Sequence, residues 1–149
     1  MSTDISKWLQ DIVDIKGVTG VFVVSNRGQI VAHAGVKIET GKIGRIADRI
    51  LRIEGAFRRK GQSLKEIDII ASNYRIIGMM REYFTIFTLC NSTDALPLIR
   101  ITLNVTIAHL LEDKKFNKFI TKSGTSKTQI INRAVFNKDE TKLISKLQR

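Results

Sequence analysis

Gly17-Val18-Thr19-Gly20-Val21-Phe22-Val23-Val24-Ser25-Asn26-Arg27-Gly28-Gln29-Ile30-Val31-Ala32 sets two apolar runs on either side of a polar turn closed by glycine. Val21 to Val24 is rich in β-branched residues, which suit a pleated surface, and Ser25 to Gly28 carries the residue types of a tight reversal. Val21–Val24 and Gln29–Ala34 are therefore predicted to be antiparallel neighbours. The period changes on both sides of this hairpin. Upstream, Ile5, Trp8, Leu9, Ile12 and Ile15 recur at the i, i+3, i+4, i+7 spacing of one helical face. Ser2 or Thr3 is available as a cap, Asp4 lies near the positive helix end, and Gly17 closes the helix.

Downstream, Thr40 can cap a second helix that runs to about Lys60 and stops at Gly61. Its apolar residues Ile43, Ile46, Ala47, Ile50, Leu51, Ile53 and Phe57 fall within roughly 160° of the circumference, a stripe that must be covered. Three more strands follow, Ile67–Ala71, Arg75–Met80 and Tyr83–Cys90, joined by links too short for parallel crossovers. A third helix starts at Ser92, Thr93 or Asp94, carries Pro97 in its first turn and ends near Phe119. Leu96, Ile99, Leu103, Ile107 and Leu110 mark its apolar face; Ile101, Val105 and Ala108 widen it, so the helix is expected to be largely covered. The order α-β-β-α-β-β-β-α gives an α/β three-layer sandwich with one five-stranded antiparallel sheet, of the profilin/longin-like kind. The strand after the second helix is free to sit at a sheet edge.

The 149 residues, 43% apolar, suffice for one core, placed at residues 1–120. From Thr121 the composition turns polar and basic, with seven basic and two acidic side chains in 121–149 out of a formal net charge of +11. Asn137 and Glu140 resemble a capping box for a short helix over 138–148, with Leu143, Ile144 and Leu147 on its apolar side. No run has the length and apolarity of a membrane span, and Met1 to Gln10 lacks a signal-peptide pattern, so the expected location is cytoplasmic.

Catalytic and cofactor signatures are missing from the pattern. Cys90 stands alone, and His33 and His109 do not make a zinc set. Gly35 and Gly41-Lys42 imitate a phosphate-binding loop, but five residues separate the glycines and Ile43 stands where the magnesium-binding hydroxyl belongs. The chain is expected to be no enzyme and to hold no cofactor or metal.

With this order of elements, the stretch Gly17 to Ala32 resembles the opening of the roadblock/dynein-light-chain (roadblock/LC7) family. The long helix with Ala47 and Glu54, the strand Ile67–Ala71 and a third helix near Leu96 that includes Arg100 also sit where that family has corresponding elements. The resemblance covers about residues 3–120. It implies a homodimer, or a heterodimer with another roadblock protein, in which second helices pack together and edge strands pair. It also implies a non-enzymatic scaffold that binds or regulates a small Ras-like GTPase through those paired helices.

Carried onto this sequence, that dimer face comprises Gly44, Ala47, Asp48, Leu51, Glu54 and Gly55 of the second helix with Ile67 and Ile69 of the following strand. Gly44, Asp48 and Gly55 fall within about 40° of one another on an ideal helix, and the glycines would admit a close second backbone. A weak first turn and a frayed helix end explain them equally well. Lys42, Arg45, Arg49, Arg52 and Arg59 form a basic ridge opposite the stripe. It reads either as a solvated helix face or as the partner-binding surface, since the guanidinium fork suits carboxylate and phosphate. Glu54 lies in the apolar stripe and has Arg58 four residues on as its ion-pair partner. A competing function is a basic adaptor for nucleic acid or for an anionic membrane surface reached through the tail, with steep salt dependence. The lack of interleaved aromatics disfavours single-strand nucleic acid.

Overall fold

The computed structural model of the chain describes residues 3–35, 40–92 and 94–123. The helix proposed over 138–148 lies outside these residues. The elements are α1 (Thr3–Val13), β1 (Val18–Ser25), β2 (Ile30–Gly35), α2 (Thr40–Arg59), β3 (Glu66–Ile70), β4 (Arg75–Met80), β5 (Phe84–Cys90), α3 (Leu96–Glu112) and α4 (Lys114–Ser123). All strand pairs are antiparallel, in the order β2-β1-β5-β4-β3. The hairpin and the meander therefore join through β1 and β5, which places β3 at an edge.

The sheet divides two cores by the alternation of its strands. Val21, Val23, Ile77, Met79, Phe84 and Ile86 point to one side, where Ile5, Leu9 and Ile12 of α1 and Ile99, Leu103, Ile107 and Leu110 of α3 cover them. Phe22, Val24, Ile76, Met80, Phe87 and Leu89 point to the other, against Ile43, Ala47 and Ile50 of α2. Met79 and Met80 thus serve opposite layers. Gly28, at φ +83°, makes the turn of the first hairpin, and the Ser25 hydroxyl accepts the backbone N–H groups of Arg27 and Gln29, both at 3.3 Å. The buried Asn26 side-chain amide donates to the Glu82 carbonyl and ties this turn to the β4–β5 turn.

Three features differ from the sequence expectation. The third helix does not run to Phe119: it breaks at Asp113, whose ψ of 111° is extended and whose Oδ1 accepts the Phe116 N–H at 2.8 Å as the cap of α4. Asn117 donates to the Leu111 carbonyl at 2.6 Å and the Asp113 carbonyl at 2.9 Å, satisfying orphan acceptors at the end of α3. The break turns Phe116 edge-on to Phe84, with ring centroids 5.2 Å apart, and buries Ile120. α4 runs through Ser123, so the first residues of the stretch read as tail are helical. Second, α3 begins at Leu96 behind Ala95 with no side-chain cap, and not at Ser92 to Asp94. Third, α3 is covered on one side only: Leu98, Ile101 and Val105 are exposed because α1 and the sheet occupy the face of Ile99, Leu103 and Leu110.

Candidate functional site

Helix α2 lies alone on its side of the sheet among the described residues, and its axial rotation decides what each flank can meet. Ile43, Ala47 and Ile50 face the sheet. One flank turns toward the β1–β2 turn, where Asp48 Oδ1 stands 3.0 Å from the position a Cβ would take at Gly28. The other flank turns toward the β3–β4 turn: Lys42, Arg45, Ile46 and Arg49 share a hollow with Tyr74 of that turn and with Thr19 and Leu89 of the sheet. On the 100° step, Ile53 and Phe57 follow Ile46 along this second flank. They are 37% and 40% exposed.

Residues expected at a dimer face are thereby separated. Ala47, Leu51 and Glu54 are buried at 2%, 9% and 3% exposure, and Gly55 is buried too. Ala47 is buried by its own sheet. Gly44 is half-buried with nothing within 4 Å of a Cβ position, and Asp48 is exposed, but Asp48 faces the hairpin turn and not the β3 edge. Ile67 and Ile69 are half-buried against the α2 core, on the edge strand. Among the described residues of this layer, Ile53, Phe57 and Tyr74 leave large hydrophobic side chains exposed, and periodicity had placed Ile53 and Phe57 in the stripe without showing that they stay partly bare.

The edge strand carries charge on its other face. The Asp68 carboxylate accepts a bidentate pair from Arg75, 2.7 Å at Nε, and Arg100 of α3 donates to Glu66 at 2.7 Å. The Arg75 hydrogen bond holds the Asp68 carboxyl below the usual carboxylate range against the opposing effect of desolvation, with the charges of Arg75 and Arg100 adding to it. Charged side chains along an edge discourage indiscriminate strand addition. Among the described residues no strand pairs with the outer side of β3.

The basic ridge also splits. Lys42, Arg45 and Arg49 border the hollow, and among the described residues none of the three forms an ion pair or hydrogen bond. Arg52 is exposed on the back of the helix, and Arg59 is half-buried with its Nη1 out of solvent and without a hydrogen-bond partner. Glu54 pairs with Arg58 at 3.3 Å, in the geometry expected for i, i+4 neighbours. Cys90 is buried at the end of β5, and burial pushes its thiol above the ordinary range. Trp8 stacks on His109 at 5.0 Å and Phe22 lies 6.3 Å from His33, contacts that give both histidines packing roles. No group of His, Cys, Asp and Glu among the described residues is arranged to hold a metal ion. None of the described helices is long and apolar enough to cross a membrane.

No family model matches the chain, and neither does any curated protein. Solved structures match in fold. MglB of Myxococcus xanthus superposes with a TM-score of 0.62 at 16% identity, over 70% of this chain and 89% of its own. An MglB with a tetrameric arrangement also scores 0.62, at 10% identity over 80% of this chain and 89% of its own. A roadblock/LC7 domain from Streptomyces avermitilis scores 0.62 at 8% identity, over 70% of this chain and 92% of its own. The chain has the roadblock/LC7 fold.

Proposed function

We propose that this chain is a non-enzymatic docking module of the cytoplasm that pairs with a second copy and binds a small Ras-like GTPase across the joined second helices. The observation that carries the pairing is an apolar margin that one subunit leaves incomplete: Ile53 and Phe57 of α2 are partly bare, and β3, whose Ile67 and Ile69 pack into the α2 core, has no strand on its outer side among the described residues. A two-fold axis along that margin would bring two such flanks together and extend the sheet. The interface so proposed uses the β3-side flank and not Gly44 and Asp48.

The GTPase reading is supported by the roadblock resemblance and by the likeness to MglB, and the basic ridge supplies a surface of the right character. Pairing α2 with its copy would set Lys42, Arg45 and Arg49 of both subunits on one cationic plate, which would accelerate encounter with an acidic partner and weaken with salt. The test is capture of purified small GTPases of the host in their GDP- and GTP-bound forms by the immobilised full chain. Retention that depends on nucleotide state and is lost in the Arg45→Glu/Arg49→Glu/Arg52→Glu variant, with an unchanged circular dichroism spectrum, is the expected result. Undiminished capture by that variant would move the surface elsewhere, and no capture in either state would sink the GTPase reading.

A further inference from the structure

We infer that the hollow between α2 and the β3–β4 turn is a binding site for a phosphate-bearing small molecule. It measures about 460 Å³, within the range of ligand sites and far more than a water or a lone ion needs. Its chemistry is divided: Lys42, Arg45 and Arg49 form one wall, Ile46 and Leu89 an apolar floor, and Tyr74 the opposite rim. The three cations occupy successive turns of one helix, so their stems rise about 10 Å along the axis at 1.5 Å per residue. That span suits a diphosphate or two separate phosphoryl groups.

Among the described residues the charge is uncompensated. None of the three cations is paired with a carboxylate among the described residues, although carboxylates nearby in sequence such as Asp48 and Glu54 exist. Three like charges converging on a concave, partly apolar surface repel one another, and an anion that enters relieves the repulsion. Guanidinium forks at Arg45 and Arg49, four residues apart, can each take two oxygens of a phosphoryl group. Tyr74, 45% exposed, offers a ring face on which a planar group can rest while its phosphates reach the helix. The Thr19 hydroxyl lines the same hollow but donates to the Leu89 carbonyl at 3.0 Å, so it stiffens the floor. A ligand with both an anionic and a flat or apolar part would use every wall.

This assignment goes beyond the docking proposal and does not depend on it, because the walls come from one chain. The experiment is isothermal titration of the full-length protein with pyrophosphate, adenosine diphosphate and soluble inositol trisphosphate, with vesicles carrying the corresponding phosphoinositide as the lipid arm. Saturable one-to-one binding is expected, tighter for adenosine diphosphate than for pyrophosphate. Arg45→Glu/Arg49→Glu should weaken it by roughly tenfold or more. Lys114→Glu/Lys118→Glu on α4 makes the same change in net charge and should shift it by less than about twofold. Tyr74→Ala should weaken adenosine diphosphate and leave pyrophosphate unchanged. If inositol trisphosphate displaces adenosine diphosphate, the hollow also accepts a lipid headgroup; if it does not, the ligand is a free phosphate ester. Equal losses in the two charge reversals would reduce the effect to diffuse attraction by a basic protein and overturn the site. So would binding to vesicles with none to any soluble phosphate. Ile53→Glu/Phe57→Glu, which removes the proposed pairing, should retain the titration, so failure of the dimer and failure of the ligand site are separable.

Discussion

Replacing Ile53 and Phe57 together by glutamate tests the pairing of two chains along the β3 side of α2. In one subunit these side chains remain 37% and 40% exposed. Full burial of an Ile or Phe contributes about 1.5–3 kcal/mol, so covering the remaining fraction contributes roughly 0.6–1.2 kcal/mol per side chain. Two-fold symmetry uses each residue twice, and four side chains give roughly 2–5 kcal/mol, or about a 30- to 4,000-fold change in the dimer dissociation constant. Glutamate adds desolvation and like-charge repulsion across the axis, so the weakening should fall toward the upper end. The subunit itself should lose roughly 2–4 kcal/mol, since the covered part of each side chain is given up as well, so the comparison is made where both proteins remain folded. Sedimentation equilibrium over a concentration series reads the effect, with circular dichroism as the check on folding. Asp48→Lys, on the opposite flank, is the control and should leave the dimer intact. A double variant that dimerises as tightly as the parent, or a parent that stays monomeric at high micromolar concentration, would refute the reasoning. Loss of the dimer in Asp48→Lys alone would place the interface on the Gly44 flank.

Phe116→Ala should destabilise the fold by about 3–5 kcal/mol, since the ring is 1% exposed and packs edge-on to Phe84; thermal unfolding should fall by roughly 6–20 °C, and a fall of under about 3 °C would mean α4 is not part of the core. Cys90, buried with its thiol pushed up by desolvation, should react with a thiol reagent at pH 8 roughly a hundredfold or more slowly in the native protein than in denaturant; rapid native labelling would contradict the burial. Asp68, held below its usual carboxylate value of 3.8 chiefly by the Arg75 hydrogen bond, contributes stability that is present above that value and lost as pH falls through the lower folded one. Chemical denaturation between about pH 5 and pH 3 should therefore show a shallower loss of stability in Asp68→Asn than in the parent, and parallel profiles would remove the pair from the acid response.

The element order was legible in the sequence because the pattern is a local property: the short apolar runs Val21–Val24 and Arg75–Met80 suit strands covered on both faces, and the i, i+3, i+4 spacing in Ile5–Ile12 and Ile43–Ile50 follows from the one helical face that must be hidden. The short links of the meander fixed β3 beside β4, and the open edge followed. The helix break at Asp113 escaped that reasoning, since an aspartate in a charged stretch reads the same whether it continues a helix or caps the next one. Only the docking of Phe116 against Phe84, 32 positions away in the chain, selects the cap. A helical wheel shows that Gly44, Ala47, Asp48, Ile53 and Phe57 differ in angle, but not which angle looks toward the edge of the sheet. That depends on how α2 is rotated over Phe22, Ile76 and Phe87, contacts made across the whole domain. The same placement of α2 brings Lys42, Arg45 and Arg49 to Tyr74 while Arg52 lies further along the axis, so the ridge was visible in one dimension and the hollow exists only in three.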